Sequence, residues 1–230
     1  MIVLLPGMDG TGELFQPFIS ALGGEFDVQI VRYPTDGALG YEDLESIVRE
    51  SLPQDAPFVI LGESFSGPIA VSIAASGTQG LAGVVMSSSF IRNPRPLFSS
   101  LSAMVSIMPV KRVPTEAMSY FLTGNHATPE LRAALRSSLA TVSAVALQAR
   151  MKAVLSVDVS VELSAVRVPV LYLRGAEDRV VPASAATQLT TMLPAARVVA
   201  FAAPHFLLQV VPALAAAEVG AFVRQVTVGK

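Results

Sequence analysis

The feature that most constrains the fold is a regular alternation of short β-rich apolar runs with segments whose apolar residues recur at helical spacing. The strand candidates are residues 1–5, 28–33, 58–61, 83–86, 168–173 and 197–201, and the helix candidates are residues 14–22, 41–52, 69–75, 183–192 and 210–222. This βαβ alternation predicts an α/β fold with a mostly parallel sheet covered by helices on both faces. Ligands bind such sheets at the carboxyl ends of the strands, so functional residues are expected in the loops that follow each strand.

The alternation is interrupted between Arg92 and about Ala165. This stretch has no strong strand pattern and reads as helices separated by prolines, which are Pro94, Pro96, Pro109, Pro114 and Pro129. We therefore predict a helical cap at residues 92–165, inserted between two strands. Residues 1–91 and 166–230 are predicted to form the α/β core.

Composition narrows the chemistry that the chain can perform. The 230 residues include no cysteine, which excludes disulfides, thiolate metal sites and a cysteine nucleophile. Two histidines are too few for a multi-histidine metal site, and a net charge of −2 without a basic patch argues against a nucleic-acid partner. No metal and no organic cofactor is expected.

The uncharged stretch at residues 64–91 is long enough to span a membrane. Its internal Gly67, Pro68, Gly77, Gly80 and Gly83 favour a turn, a helix and a buried strand instead. The first residues also lack the pattern of a secretory signal. The sequence thus predicts a cytoplasmic protein with no integral membrane segment and an unknown oligomeric state.

Residues 58–70 read as a strand, a tight turn and a helix. Gly62-Glu63-Ser64-Phe65-Ser66 resembles the nucleophile elbow, whose pattern is G-x-S-x-G after a strand. The flanking positions must be small because the nucleophile lies in a strained turn, and Ser66 departs from the pattern in an acceptable way. The dinucleotide fingerprint and the P-loop are absent. The remaining alternative is a glycine- and serine-rich turn without chemistry.

A serine hydroxyl needs a base to take its proton, and histidine is the usual one. His205 follows the last predicted strand, at the carboxyl edge of the sheet, whereas His126 lies in the cap and is interpreted as a solvated loop residue near a helix start. The base needs an orienting carboxylate. Glu177 and Asp178 both lie in the loop after the strand at residues 168–173, and their position alone leaves the choice open.

The chain order of nucleophile, acid and histidine is that of the α/β-hydrolases. With a glycine-rich loop at residues 5–12, the whole chain resembles the α/β-hydrolase superfamily, in its esterase and lipase-like branch, close in layout to small bacterial carboxylesterases. The resemblance covers the oxyanion loop, the elbow, the acid loop, the histidine loop and the position of the cap. It implies a triad of Ser64, Asp178 and His205.

The same resemblance assigns further roles. The pattern Gly175-x-x-Asp178-x-x-Val181-Pro182 looks like the acid loop of the family, which favours Asp178 over Glu177. Glu177 is expected to be a solvated neighbour, or a partner of Arg174 or Arg179. The oxyanion hole would be formed by the backbone N–H groups of Phe65, after the nucleophile, and of Met8. In the Met8 loop Pro6 replaces the histidine of the family, and Asp9 is not expected to be catalytic.

The implied activity is that of a serine esterase, which cleaves a small-molecule ester of a small to medium apolar acyl group through an acyl-enzyme. Thioesterase, lactonase, carbon–carbon hydrolase and acyltransferase activities remain open, as does a non-catalytic ligand-binding receptor of this fold. A flavodoxin-like binding domain would leave the acid and histidine loops unexplained.

Apolar residues of the cap are candidates for the acyl pocket. Residues 96–110 contain no charged residue, and Leu101, Met104 and Met108 are predicted to line the substrate site. Met118, Phe121, Leu122 and Met151 follow further along the cap. The alternative is that these side chains only pack the cap helices onto the core.

Overall fold

The computed structural model describes residues 1–97, 105 and 109–227, and within them one parallel sheet organises the chain. Its strands are β1 (Ile2–Leu5), β2 (Val28–Ile30), β3 (Phe58–Glu63), β4 (Leu81–Ser87), β5 (Val170–Gly175) and β6 (Arg197–Phe201). Their order is β2-β1-β3-β4-β5-β6, and all neighbours pair in parallel. The carboxyl ends of all these strands therefore meet at one edge of the sheet.

Helices connect the strands. They are α1 (Gln16–Ala21), α2 (Tyr41–Ser51), α3 (Gly67–Ala75), α4 (Thr115–Thr123), α5 (Pro129–Thr141), α6 (Ala144–Ser156), α7 (Ser160–Ala165), α8 (Ser184–Met192), α9 (Leu207–Val210) and α10 (Pro212–Thr227). In the part of the chain that the structure describes, no helix is long and apolar enough to cross a membrane.

The sheet is covered on both faces, as predicted. Side chains alternate along a strand, so β1 sends Val3 and Leu5 to one face and Ile2 and Leu4 to the other. The first pair belongs to a buried cluster with residues of α2, α3, α7 and α8. The second belongs to a cluster with residues of α1, α9 and α10. Burial of these two apolar clusters holds the layers together.

Two element boundaries differ from the sequence-based prediction for reasons that bear on the site. β2 ends at Ile30 rather than at residue 33. Tyr33 has left the sheet, and its N–H donates to the carbonyl of Gly10 at 2.8 Å. β3 extends to Glu63 instead of ending at residue 61, so the strand runs to the residue before Ser64.

The chain leaves the sheet after β4 and returns before β5, and the two ends of this insertion are paired. Arg92 and Asp158 form an antiparallel bridge, flanked by hydrogen bonds between the backbones of residues 91–93 and 157–159. Helix α7 packs on α3, and its Leu163 is part of the core cluster. The helices α4, α5 and α6 come between these points.

Candidate active site

The turn after β3 holds Ser64 in a strained conformation. Its φ of 48° lies in the left-handed region, which a non-glycine residue rarely adopts. A Cβ atom at Gly62 would come within 2.7 Å of the Ser66 carbonyl oxygen. At Gly67 it would come within 1.9 Å of Ser89 Oγ. The glycines are therefore required by close packing around an exposed hydroxyl, which is the geometry of a nucleophile elbow.

The departure from the elbow pattern at Ser66 has a structural reason. The Ser66 side chain is fully buried, and its Oγ donates a hydrogen bond to the Pro6 carbonyl oxygen. Its Oγ also lies 2.6 Å from the hydroxyl of Tyr33. Because Pro6 begins the loop after β1, the Ser66 hydroxyl ties the elbow to that loop, which a glycine could not do.

Ser64, His205 and Asp178 form a continuous hydrogen-bonded chain. Ser64 Oγ lies 2.8 Å from His205 Nε2, and His205 Nδ1 lies 2.8 Å from Asp178 Oδ2. The side chains of His205 and Asp178 are only 3% and 5% exposed, so solvent competes little for these bonds. The arrangement matches the roles of nucleophile, base and orienting acid.

Backbone contacts hold the acid and histidine loops against each other. The Oδ1 atom of Asp178 accepts hydrogen bonds from the N–H groups of Val180 and Val181 at 2.8 and 2.9 Å. The N–H of Glu177 donates to the Ala203 carbonyl at 3.0 Å. A Cβ atom at Gly175 would lie 2.4 Å from the carbonyl oxygens of Ala203 and Pro204. Only a glycine allows the two loops to approach this closely.

The second carboxylate of the acid loop points away from the base. Glu177 Oε2 lies 3.4 Å from His126 Nε2, and both side chains are partly exposed. The structure thus pairs Glu177 with His126 rather than with Arg174 or Arg179. His126 lies in a short 3-10 turn, Gly124–His126, shortly before α5. Neither residue reaches Ser64 through a hydrogen bond in the described part of the chain.

The loop after β1 lies beside Ser64. Gly7 and Met8 line the same cavity as Ser64 and His205. The N–H of Gly10 donates to the Gly7 carbonyl at 3.0 Å, which forms a tight turn. The Met8 N–H has no hydrogen-bond partner within the described residues. On the elbow, the carbonyl of Phe65 accepts a hydrogen bond from Tyr41 Oη at 3.0 Å.

Arg150, from α6, lies beneath this loop and is 1% exposed. Its Nη1 donates to the carbonyl oxygens of Met8 and Asp9, each at 2.9 Å, and its Nη2 donates to the Pro34 carbonyl at 2.7 Å. Burial lowers the pKa of the Arg150 guanidinium, and the nearby Asp9 carboxylate opposes that shift. The loop therefore rests on a buried cation.

The Asp9 carboxylate forms its hydrogen bonds with its own loop and with a helix of the insertion. Its Oδ2 accepts hydrogen bonds from the Thr11 N–H at 3.0 Å, from Thr11 Oγ1 at 2.5 Å and from Ser138 Oγ at 2.7 Å. Ser138 belongs to α5, so this carboxylate links the loop to the inserted helices.

Glu63 is a further buried carboxyl group in the site. Its Oε1 accepts a hydrogen bond from Gln209 Nε2 at 2.9 Å, and the Gly7 N–H also donates to the carboxyl group. Burial raises the pKa of Glu63 to about 7, and the charge of Asp9 adds to the shift, whereas Gln209 and His205 oppose it. Glu63 therefore carries a proton over much of the acidic range.

Ser64 and His205 open into a cavity of about 340 Å³. Most of its described lining is apolar: Leu14, Val110, Val113, Met118, Leu122, Leu135, Leu139, Leu147, Met151, Val180 and Phe206. Met118, Leu122 and Met151 are among the residues of the predicted cap that the sequence analysis named, whereas Phe121 is 53% exposed and packs beside Tyr120. Leu101, Met104 and Met108 lie outside the described residues. The volume falls within the range of small-molecule sites.

A larger cleft of about 920 Å³ lies along the outer side of α5. It is lined by residues such as Arg32, Glu130 and Ser137, and none of the three triad candidates is among its described lining. The smaller cavity is therefore the one that Ser64 and His205 line. In the part of the chain that the structure describes, no three histidine or carboxylate side chains converge in a way that could hold a metal ion.

Sequence reasoning missed Arg150, Glu63 and Gln209. The one signal for Arg150 is an arginine at the middle of a mostly apolar helix, which is ambiguous because such side chains usually reach solvent. Glu63 occupies a position of the elbow pattern at which any residue is allowed. For Gln209 the sequence carries no comparable signal.

The fold and the elbow geometry define a serine hydrolase of the α/β-hydrolase class. Residues 38–207 match the family model described as serine aminopeptidase, S33, and the chain belongs to this family. The expected membership of the α/β-hydrolase superfamily is thereby confirmed.

Three similar proteins were identified. The pimeloyl-[acyl-carrier protein] methyl ester esterase of Nitrosomonas europaea is 26% identical over 222 residues, which cover 89% of this chain and 86% of that protein. Phytyl ester synthase 1, chloroplastic, of Arabidopsis thaliana is 35% identical over 80 residues, 32% of this chain but only 11% of that protein. A thermophilic esterase from Thermogutta terrifontis superposes with a TM-score of 0.81 at 19% identity, covering 98% of this chain and 90% of the other. At that identity the superposition shows the shared fold.

Proposed function

We propose that this protein is a serine esterase that hydrolyses carboxylic esters of small to medium apolar acyl groups. The observation that carries the proposal is the chain of two 2.8 Å hydrogen bonds from Ser64 through His205 to Asp178, at a cavity with mostly apolar lining. The similarity to an esterase over most of both chains supports the same reaction class.

In the acylation step, Ser64 Oγ attacks the ester carbonyl carbon while His205 Nε2 takes the hydroxyl proton. The N–H groups of Met8 and Phe65 are proposed to donate hydrogen bonds to the oxyanion of the tetrahedral intermediate. The bond to the alkoxy oxygen then breaks, and His205 gives its proton to the leaving alcohol. Asp178 accepts a hydrogen bond from His205 Nδ1 throughout and stabilises the imidazolium.

In the deacylation step, a water molecule takes the place of the alcohol. His205 removes one of its protons as the water oxygen attacks the acyl carbon. When this second intermediate collapses, the bond to Ser64 Oγ breaks, the carboxylic acid leaves, and Ser64 regains a proton from His205. These steps require no group from outside the chain other than the ester and water.

The lining of the cavity favours a neutral acyl chain. The charged or titratable groups among its described residues are Asp9 and Glu63, which are acidic, and His205, which belongs to the triad. An acyl chain ending in a carboxylate would thus enter apolar surroundings without a cation to pair with, which is costly. We further propose that residues 92–165 act as the cap, because α4, α5 and α6 supply much of this lining.

A second activity, acyl transfer, has a specific observation in its favour. The 80-residue match to a phytyl ester synthase is the one with the higher identity of the two curated relatives described above. The same acyl-enzyme would form an ester if an alcohol rather than water attacked it. Turnover in the presence of a long-chain alcohol, with the ester and acid products quantified, separates the two activities.

The decisive test combines labelling with substitution. A fluorophosphonate probe should modify Ser64, and Ser64→Ala should lower the hydrolysis of p-nitrophenyl esters by several orders of magnitude while the fold is retained. Ser46→Ala, at an exposed serine on α2, is the matched control and should change neither result. Undiminished hydrolysis by pure Ser64→Ala protein would refute the proposal.

A series of p-nitrophenyl esters of increasing acyl length then tests the substrate class. We expect kcat/KM to rise with chain length and then to fall once the acyl group exceeds the cavity. A p-nitrophenyl ester whose acyl chain ends in a carboxylate should react more slowly than the methyl-terminated ester of equal length. Labelling of Ser64 without turnover of any ester, thioester or lactone would instead favour a binding role.

A further inference from the structure

The buried Arg150 is a charged group to which the triad mechanism assigns no role. Among the described residues, its three hydrogen bonds all go to backbone carbonyl oxygens, those of Met8, Asp9 and Pro34. Its Nε atom is buried without a partner within the described residues. Burying a guanidinium costs free energy because the charge loses its hydration. If this position only needed to be filled, an apolar side chain would fill it at a lower cost. The carbonyl groups that Arg150 binds therefore indicate its role.

The bonds of Arg150 are linked to the Met8 N–H through two peptide planes. The Asp9 carbonyl and the Gly10 N–H belong to one planar peptide group, so the bond from Arg150 Nη1 to Asp9 orients that N–H. The Gly10 N–H donates to the Gly7 carbonyl at 3.0 Å. The Gly7 carbonyl and the Met8 N–H belong to a second planar peptide group, the one that joins these two residues. The guanidinium thereby constrains the direction of the Met8 N–H.

The loop has little freedom to adjust on its other sides. The Gly10 carbonyl accepts a hydrogen bond from the Tyr33 N–H at 2.8 Å, and Gly10 has a φ of 73°. A Cβ atom at this position would lie 2.6 Å from Arg150 Nη1, so the glycine makes room for the guanidinium. The Asp9 carboxylate is held by Thr11 and Ser138 on the opposite side. The loop is clamped between these contacts and Arg150.

We propose that Arg150 is a positioning residue that holds the carbonyl groups of Met8 and Asp9 so that the Met8 N–H stays directed at the oxyanion formed at Ser64. This inference rests on the proposed function. Arg150 does not contact the substrate. It fixes a backbone donor before the reaction, and preorganised donors are the ones that stabilise a developing charge effectively.

The test compares an ester with its thionoester analogue, in which sulfur replaces the carbonyl oxygen. Sulfur accepts hydrogen bonds poorly, so the oxoester gains more from a well-aligned oxyanion hole than the thionoester does. Arg150→Met should lower kcat for a p-nitrophenyl ester about 10- to 100-fold, somewhat less than the loss of a donor itself, with a small change in KM. The ratio of oxoester to thionoester kcat/KM should fall by about tenfold.

A merely structural role for Arg150 predicts a different result. General loosening of the fold lowers both rates together and leaves the ratio at its wild-type value, and that outcome, in folded Arg150→Met protein, would overturn the proposal. If Arg150→Met does not fold, Arg150→Lys decides by the same ratio, because one ammonium nitrogen cannot reproduce all three carbonyl contacts. We expect Arg150→Lys to lie between wild type and Arg150→Met.

Two controls separate this inference from the proposed function. Lys152→Met removes an exposed cation from the same helix and should leave both rates unchanged. Ser64→Ala measures whether turnover depends on the nucleophile at all. Loss of turnover in Ser64→Ala together with an unchanged ratio in the Arg150 variants would reject the role of Arg150 alone. Persistent turnover in Ser64→Ala would reject the proposed function.

Discussion

The two sides of Ser64 are built in different ways. On the base side, the loops of Asp178 and His205 are held by backbone hydrogen bonds and by the close approach that Gly175 allows. On the other side, called the oxyanion side after its proposed role, the loop of Met8 is held by buried charged and polar side chains, among them Arg150. The first arrangement depends on how strands β5 and β6 pair, and the second on groups more than a hundred residues apart in the chain.

This difference indicates how each side responds to change. The backbone contacts between the acid loop and the histidine loop carry no titratable group. The oxyanion side includes Glu63, whose carboxyl group is buried beside Gly7 and is raised in pKa to about 7. On the base side, we therefore expect activity to be lost when a triad side chain is replaced. On the oxyanion side, we expect activity or stability to be lost when a buried charge or hydrogen bond that holds the loop is removed.

The largest effect is expected on the base side, from Asp178→Asn. The amide cannot hold His205 in the tautomer that accepts the Ser64 proton, and kcat should fall on the order of 10⁴-fold. Glu177→Gln, at the adjacent residue, is the matched control and should change kcat little, because Glu177 pairs with His126. Steady-state hydrolysis of one p-nitrophenyl ester measures both. The opposite ranking of the two variants would refute the assignment of the acid.

The second prediction concerns pH and the oxyanion side. The carboxyl group of Glu63 has a pKa of about 7 in the fold and 4.5 ordinarily, so between these values the folded protein binds more protons than the unfolded chain. The contribution of Glu63 to the free energy of unfolding should therefore fall as pH rises from about 4.5 to about 7, by about 3 kcal/mol, and stay level above that range.

Glu63→Gln should lack this component, while Glu177→Gln on the exposed acid loop should keep it. Urea unfolding of wild type and the two variants at several pH values measures the free energy of unfolding of each. When the three curves are compared, the contributions of titratable groups that all three proteins share cancel. The charged or titratable neighbours of Glu63 are Asp9 and His205, and both are retained in each variant. Parallel curves for wild type and Glu63→Gln would show that Glu63 is not protonated in the fold.

The smallest effect is expected at Ser66, whose hydroxyl joins the elbow to the loop after β1. Ser66→Ala leaves the buried hydroxyl of Tyr33 and the Pro6 carbonyl without this partner, which should lower the free energy of unfolding by about 1–3 kcal/mol. The loss in kcat should stay within about tenfold, because the triad bonds do not involve Ser66. Denaturant unfolding and ester hydrolysis test this, with Ser46→Ala as the exposed control. A kcat loss as large as that of Asp178→Asn would contradict the separation of the two sides.

Much of the fold could be predicted from local pattern alone. The six strands and the helices between them follow from apolar periodicity, because alternation and helical spacing are set by backbone geometry. The predicted ends of strands and helices were less accurate where those ends contact distant parts of the chain. The strand β2 is shorter than predicted because Tyr33 leaves the sheet to pair with Gly10 and Ser66, a choice that no neighbouring residue signals.

By itself, the sequence determined the order of strands and helices along the chain and predicted Ser64 and His205 as nucleophile and base, whereas the prediction of Asp178 over Glu177 came from the resemblance to the family. Each follows a strand in a short motif whose small residues are required locally, and the parallel sheet brings such loops to one edge. Only the tertiary structure decided what supports them. Arg150 lies beneath the oxyanion loop, Gln209 contacts Glu63, and neither pairing has a local signature. Contacts between buried polar groups depend on how distant helices pack, and a linear pattern does not encode that packing.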